Sequence, residues 1–199
     1  MNEPSMNPDK FFKTACYFES SLILVAIVLG WVAGVDPFAY LNFNEQVVFN
    51  GILGTLPLCI IFLALNQTKS EALTKIRKVL HDTLGPSLAQ HHWTDLFVLA
   101  AIAGFSEEVL FRGVIQPWLE NSWGMVAGLL ISSLIFGLIH AVTLLYFIMA
   151  TAVSVYLGMY LDYDNTRNLL TPIIIHGLYD FFAFMVILHT YRLEQQKTK

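Results

Sequence analysis

Charge is scarce in this chain. Asp, Glu, Lys and Arg make up 13% of its 199 residues, against roughly 25% in soluble domains. A water-soluble fold of this length could not cover its surface with so few. Cysteine is scarcer still: Cys16 and Cys59 both fall in apolar stretches and have no metal-binding spacing. That excludes a disulfide framework and a cysteine-built zinc site, and leaves them as small apolar side chains. Internal repeats, low-complexity segments and an H-E-x-x-H string are also missing, which excludes a repeat architecture and the commonest helical zinc-hydrolase signature. The net charge of -4 says little, because the charges are so unevenly placed.

What the chain has instead is apolar length: 56% of its residues are hydrophobic and the mean hydropathy is +0.60. Roughly 20 residues of helix cross the hydrocarbon core, and six segments qualify, at about 14–35, 46–66, 95–118, 124–141, 142–161 and 169–190. The fourth and fifth run together and are split near His140, since their sum is too long for one crossing. The expected fold is therefore all-α, a polytopic membrane helical bundle of about six transmembrane helices in a single integral membrane domain, 1–199. Glu19 interrupts the start of the first span and no clean small-residue cleavage site follows, so that span reads as a retained anchor rather than a secretory signal. Trp93, Trp118 and Trp123 near the span ends suit interfacial anchoring.

Cations set the orientation. Lys10 and Lys13 precede the first span; Lys69, Lys75, Arg77 and Lys78 lie between the second and third; Arg192, Lys197 and Lys199 follow the last. The opposite connections hold Asp36, Glu45, Glu120, Asp162, Asp164 and one cation, Arg167. Both termini are expected in the cytoplasm. The basic connection 67–93 carries Leu73, Ile76, Leu80 and Leu84 at helical spacing until Gly85-Pro86. It reads as a cytoplasmic amphipathic helix on the membrane surface, or as a solvated loop helix that supplies topology. His81, His91 and His92 belong to this connection, and the His91-His92 pair reads as solvated rather than metal-bound.

Three ionisable clusters interrupt the apolar part: Glu107-Glu108-Val109-Leu110-Phe111-Arg112, Phe136-Gly137-Leu138-Ile139-His140 and His176-Gly177-Leu178-Tyr179-Asp180. Ionisable groups at membrane depth are expensive and by default mark a site facing the protein interior. Glu108 and Arg112 are four residues apart and can pair on one helix face. Glu107 is rotated about 100° from Glu108, which leaves its carboxylate free for general-base work. His176 and Asp180, and Phe136 and His140, repeat the four-residue spacing. If the three faces converge, a polar intramembrane cavity results in which Glu107 and His140 activate water. His176 and Asp180 then hold the scissile carbonyl and steady its developing charge. A protonated Asp180 could donate to the oxyanion; an ionised one would orient His176. Independent gluing of helices by each cluster is the structural alternative.

The order E-E-x-x-x-R, F-x-x-x-H, H-x-x-x-N/D resembles the CPBP family of intramembrane proteases, also called the CAAX-protease and bacteriocin-processing or Abi family. The likeness spans roughly 95–185, the expected catalytic core with three motif helices, and includes the Thr171-Pro172-Ile173 approach to His176. It implies that Glu107 is the base, that His140 aids it and that Glu108 and Arg112 support the site. It also implies that His176 and Asp180 form the oxyanion side; Asn is common at this last position in eukaryotic members. No cofactor is expected, because the metal-free glutamate mechanism needs only these residues; were zinc used, Glu107, His140 and His176 would be its ligands. The implied partners are a lipid bilayer and a membrane-associated protein or peptide substrate, with no nucleic acid. The short chain looks like a member from a prokaryotic inner membrane.

Two rival functions use the same residues. A proton- or ion-coupled transporter would show inverted halves with matching broken helices, which the chain lacks. A non-catalytic scaffold of the same family would have less reason to keep every motif position. One geometric condition constrains the protease reading. At about 1.5 Å per residue, straight full-length helices would leave Glu107, His140 and His176 at different depths. At least one motif helix is therefore expected to be short, tilted or displaced, with irregular backbone along a wet cavity and Gly104, Gly113, Gly137 and Gly177 allowing bends or close contacts.

Overall fold

The computed structural model describes residues 8–197; Lys199, one of the cations used to read orientation, lies outside the described residues. The chain is an all-α membrane bundle with no strand among the described residues. Its helices are α1 (Pro8–Ala33), α2 (Glu45–Gln67), α3 (Glu71–Leu88), α4 (Trp93–Leu110), α5 (Gln116–Trp123), α6 (Met125–Ile139), α7 (Leu144–Tyr160) and α8 (Leu170–Lys197). By length and composition α1, α2 and α8 can each cross a membrane, while α6 and α7 are shorter apolar helices of 15 and 17 residues. The outer face of α1 exposes Phe18, Leu24, Val28, Trp31 and Val32. So large an apolar surface suits a lipid rather than a water environment.

Local chemistry sets the helix ends. The Asn44 side chain accepts from the Gln46 amide at 2.8 Å to start α2, and Thr143 accepts from Tyr146 at 3.1 Å to start α7. Each satisfies a donor that the first turn leaves orphaned. His92 does the same for α4, closing a reciprocal capping box with Asp95. This histidine is a helix cap, a role the expectation of a solvated residue did not include. Its neighbour His91 stacks on Phe12 with ring centroids 4.1 Å apart and contacts the Ser87 carbonyl at 2.8 Å. Gly124, at φ +86°, provides the left-handed residue that turns α5 into α6.

Two helices depart from their sequence reading. α3 does not stop at Gly85-Pro86 but runs on to Leu88. Pro86 removes a backbone donor only in the last turn, and Gly85 lets the helix lie directly on the Tyr191 ring. The apolar stripe of α3 is buried on the bundle through Leu73 and Ile76. The expected span 95–118 is α4, a π-helical turn at Phe111–Ile115, and α5, which continues to Trp123. That irregular turn follows immediately after the paired glutamates.

Helix α8 is the central element and packs most extensively on α4 and α2. Leu58, Leu157 and Ile175 form one apolar cluster around it; Leu88, Leu96 and Leu188 form another. A third joins α1 to the π-helical turn and α6 through Ala26, Val109, Phe111, Val114 and Phe136. At Gly104 a Cβ would stand 2.6 Å from the Gly177 amide nitrogen. This contact brings α4 and α8 together backbone to backbone, as small residues do between membrane helices.

Candidate active site

The close approach of α4 and α8 places the second motif glutamate against the third motif histidine. Glu108 Oε1 lies 2.8 Å from His176 Nδ1 and accepts from the Arg112 guanidinium at 3.0 Å. Arg112, fully buried, reaches on to α7, where its other terminal nitrogen donates to the Ser154 hydroxyl at 2.8 Å and to the Ser154 carbonyl. Its guanidinium carbon lies 5.3 Å from the centroid of the Phe136 ring. Glu108 is thus compensated through Oε1, while its buried Oε2 has no hydrogen-bond partner, and a buried charge pair that is also hydrogen-bonded is the kind that survives desolvation.

Glu107 points elsewhere, as the helical rotation predicts. Its Oε2 lies 3.5 Å from His140 Nε2, and this buried oxygen has no hydrogen-bond partner. His140 is the C-cap residue of α6 rather than part of the helix proper. Its Nδ1 stands 2.8 Å from the Phe136 carbonyl and its ring stacks on Phe136 with centroids 4.3 Å apart. With Nδ1 donating to that carbonyl, Nε2 is the nitrogen that faces Glu107. The same Phe136 ring meets His176 edge-on at 6.0 Å, so one side chain sets both imidazoles. On the far side of His176, Nε2 is 3.5 Å from Asp180 Oδ2.

The six residues singled out in sequence therefore form two neighbouring groups, Glu107–His140 and Arg112–Glu108–His176–Asp180, carried by α4, the π-helical turn, the end of α6 and α8, with the Phe136 ring against both imidazoles. The depth conflict is resolved by a short α6 that ends just before His140. Beneath Asp180 a cavity of about 630 Å³ opens between α2, α3, α7 and α8, lined by Phe62, Leu73, Tyr146, Tyr179 and Ile187, with Arg77 and Lys78 also at its walls. Ser154 was not foreseen. A lone serine in an apolar run gives no sign that it will meet an arginine 42 positions earlier in the chain. Glu19 of α1 also reaches the site's electrostatic field.

Residues 89–182 match the family model described as Rce1-like, type II CAAX prenyl endopeptidase Rce1-like. The segment that carries the motifs is similar to the CAAX-protease family. All six motif residues lie within the matched residues 89–182. The chain is also similar to a Bacillus subtilis (strain 168) protein named uncharacterized protein YpbD. The two are 40% identical over 88 residues, which cover 43% of this chain and 41% of that protein. The match thus spans about two fifths of that relative's length. No solved structure matches the chain.

A zinc ion would need Glu107, His140 and His176 to converge. Among the described residues no group of three or more His, Cys, Asp or Glu side chains is arranged to hold a metal. His176 turns one ring nitrogen to Glu108 and the other to Asp180, while Glu107 and His140 face each other. The donor set as placed does not fit such a site.

Proposed function

We propose that this protein is an intramembrane endopeptidase that hydrolyses a peptide bond of a membrane-associated protein or small peptide with water activated by Glu107. The observation that carries the reading is the unequal treatment of two adjacent buried glutamates. Glu108 is held through Oε1 by the Arg112 guanidinium and by His176, whereas Glu107 stands 3.5 Å from the His140 imidazole; each carboxylate keeps a buried Oε2 without a hydrogen bond, so the two differ in the cation that holds them.

In this mechanism Glu107 takes a proton from water while the water oxygen bonds to the scissile carbonyl carbon, and His140 helps to hold the water between them. Negative charge moves to the carbonyl oxygen, where the His176 Nε2 proton meets it. Asp180, close to the same nitrogen, orients and charges that imidazole. When the tetrahedral intermediate collapses, the carbon–nitrogen bond breaks and Glu107 passes its proton to the leaving amine. One peptide bond and one water give a carboxylic acid and an amine, which leave as carboxylate and ammonium once the acid passes its proton to the amine, and Glu107 is regenerated as a carboxylate. Arg112 and Glu108 fix the position of His176 throughout.

The charge asymmetry of the connections supports an orientation with both termini and 67–93 on the cytoplasmic side of a prokaryotic inner membrane. The decisive experiment compares protein termini in membrane fractions of cells making the native chain or Glu107→Ala at matched levels. Termini present with the native protein and absent with the variant are expected, with a loss of about a hundredfold or more when a catalytic base is removed. Identical termini in the two samples would sink the protease reading.

A further inference from the structure

Helix α1 lies outside the CAAX-protease segment, yet it carries a carboxylate into the same field of charges. Between Thr14 and Ala33 the only Asp, Glu, Lys or Arg is Glu19. Phe12, Glu19, Leu22, Ala26 and Leu29 recur at alternating three-, four- and seven-residue steps, the spacing of one helix face. The other members of that stripe are core residues. Phe12 packs with Leu88 and Leu96, and Ala26 with Leu22 and Leu29 joins the cluster of Val109 and Phe111. Glu19 is therefore held between two packed clusters on the side of α1 that meets α4. Its Oε2 is buried and has no hydrogen-bond partner, and the carboxylate lies within electrostatic range of Glu107, Asp180, His176 and His140.

The cations near it are already committed. Arg112 serves Glu108 and Ser154, His140 faces Glu107, and His176 stands between Glu108 and Asp180. Glu19 thus adds a further carboxylate beside Glu107 and Asp180, and unlike them it has no imidazole set against it among the described residues. A buried carboxylate oxygen without a donor is costly, and like charges nearby add to the cost. A cation brought in by the substrate removes both penalties together.

We propose that Glu19 contacts the substrate and takes a lysine or arginine side chain next to the scissile bond. This role rests on the protease reading and deepens it: the CAAX-protease segment supplies the hydrolytic groups, and α1 supplies selectivity for a basic residue.

The test is the sequence around each cut. Termini are mapped in membrane fractions from cells making the native chain, Glu107→Ala, Glu19→Gln or Glu19→Lys at matched levels. Termini that depend on Glu107 are expected to carry Lys or Arg beside the cut. In Glu19→Gln the ratio of basic-flanked to other cuts falls about tenfold or more, the size of a lost charge-assisted contact. In Glu19→Lys the ratio falls further and acidic flanks appear. Because a ratio is read, poor folding, which lowers all cuts alike, does not imitate the effect. Glu107-dependent cuts without basic flanks, or an unchanged ratio in Glu19→Gln, overturn this role and leave the protease reading standing. If no terminus depends on Glu107, the protease reading fails and this role fails with it.

Discussion

Adjacent residues can have opposite electrostatic fates on a helix, because each step turns the side chain by about 100°. Glu108 faces α8 and α7 and becomes the anion of a buried network with Arg112, His176 and Ser154. Glu107 faces the end of α6, with His140 opposite at 3.5 Å. Arg112 is the residue whose removal should expose this division. Truncating one member of a buried pair typically costs about 3–5 kcal/mol, since the other charge is left uncompensated. Arg112→Leu should therefore lower the melting temperature of the detergent-purified protein markedly. Adding Glu108→Gln to that variant should restore part of the loss, which thermal melts of the two single variants and the double variant would measure. Strict additivity would show that the two side chains do not act as a pair. Arg112→Lys is not expected to rescue, because one ammonium cannot span both Glu108 and Ser154 as the guanidinium fork does.

The site depends on how closely whole helices approach. With a Cβ, Gly104 would meet the Gly177 amide nitrogen at 2.6 Å and its Cα at 2.8 Å, both backbone atoms that cannot swing aside. Gly104→Ala should push α4 away from α8 and lengthen the Glu108–His176 contact. The expected cost is about 1–3 kcal/mol, as for other overpacked sites, with a loss of Glu107-dependent cleavage larger than the loss of folded protein. Equal losses would mean that the glycine serves packing alone. The importance of such glycines was legible from their closeness to the motifs, and so were the pairs at four-residue spacing, because both follow from helix geometry within one segment. The Arg112–Ser154 contact, the π-helical turn at Phe111–Ile115 and the capping role of His92 were not. Each depends on which surfaces meet, or on a backbone register that no local string of side chains encodes. Glu19 falls between these cases. The rule that marked the three motifs, an ionisable residue within an apolar span, applied to it equally, but a single carboxylate without a partner at helical spacing gave it no direction.

At the scale of the molecule, the bundle separates chemistry from its boundaries. Exposed apolar side chains cover α1 and α2, the ionisable constellation lies inside, and the remaining charges gather at the two ends. Arg167, the one cation of its end, is tied to Glu120 at 2.6 Å and Asp162 at 3.0 Å and lies over the Tyr40 ring. It therefore offers less free positive charge than the Lys69–Lys78 stretch at the other end. This asymmetry makes the proposed orientation testable with two exposed positions, Ser70 before α3 and Thr166 before α8. In a background where Cys16 and Cys59 are replaced by alanine, single cysteines are introduced as Ser70→Cys or Thr166→Cys. A thiol reagent that cannot cross membranes is then applied to intact cells. Thr166→Cys should be labelled at once, and Ser70→Cys only after the membrane is opened. The reverse pattern would invert the bundle and place the cationic connection outside. Labelling of both before opening would place the two positions on one side, so that the chain would cross an even number of times between them and one of the spans expected at 95–118, 124–141 and 142–161 would not cross.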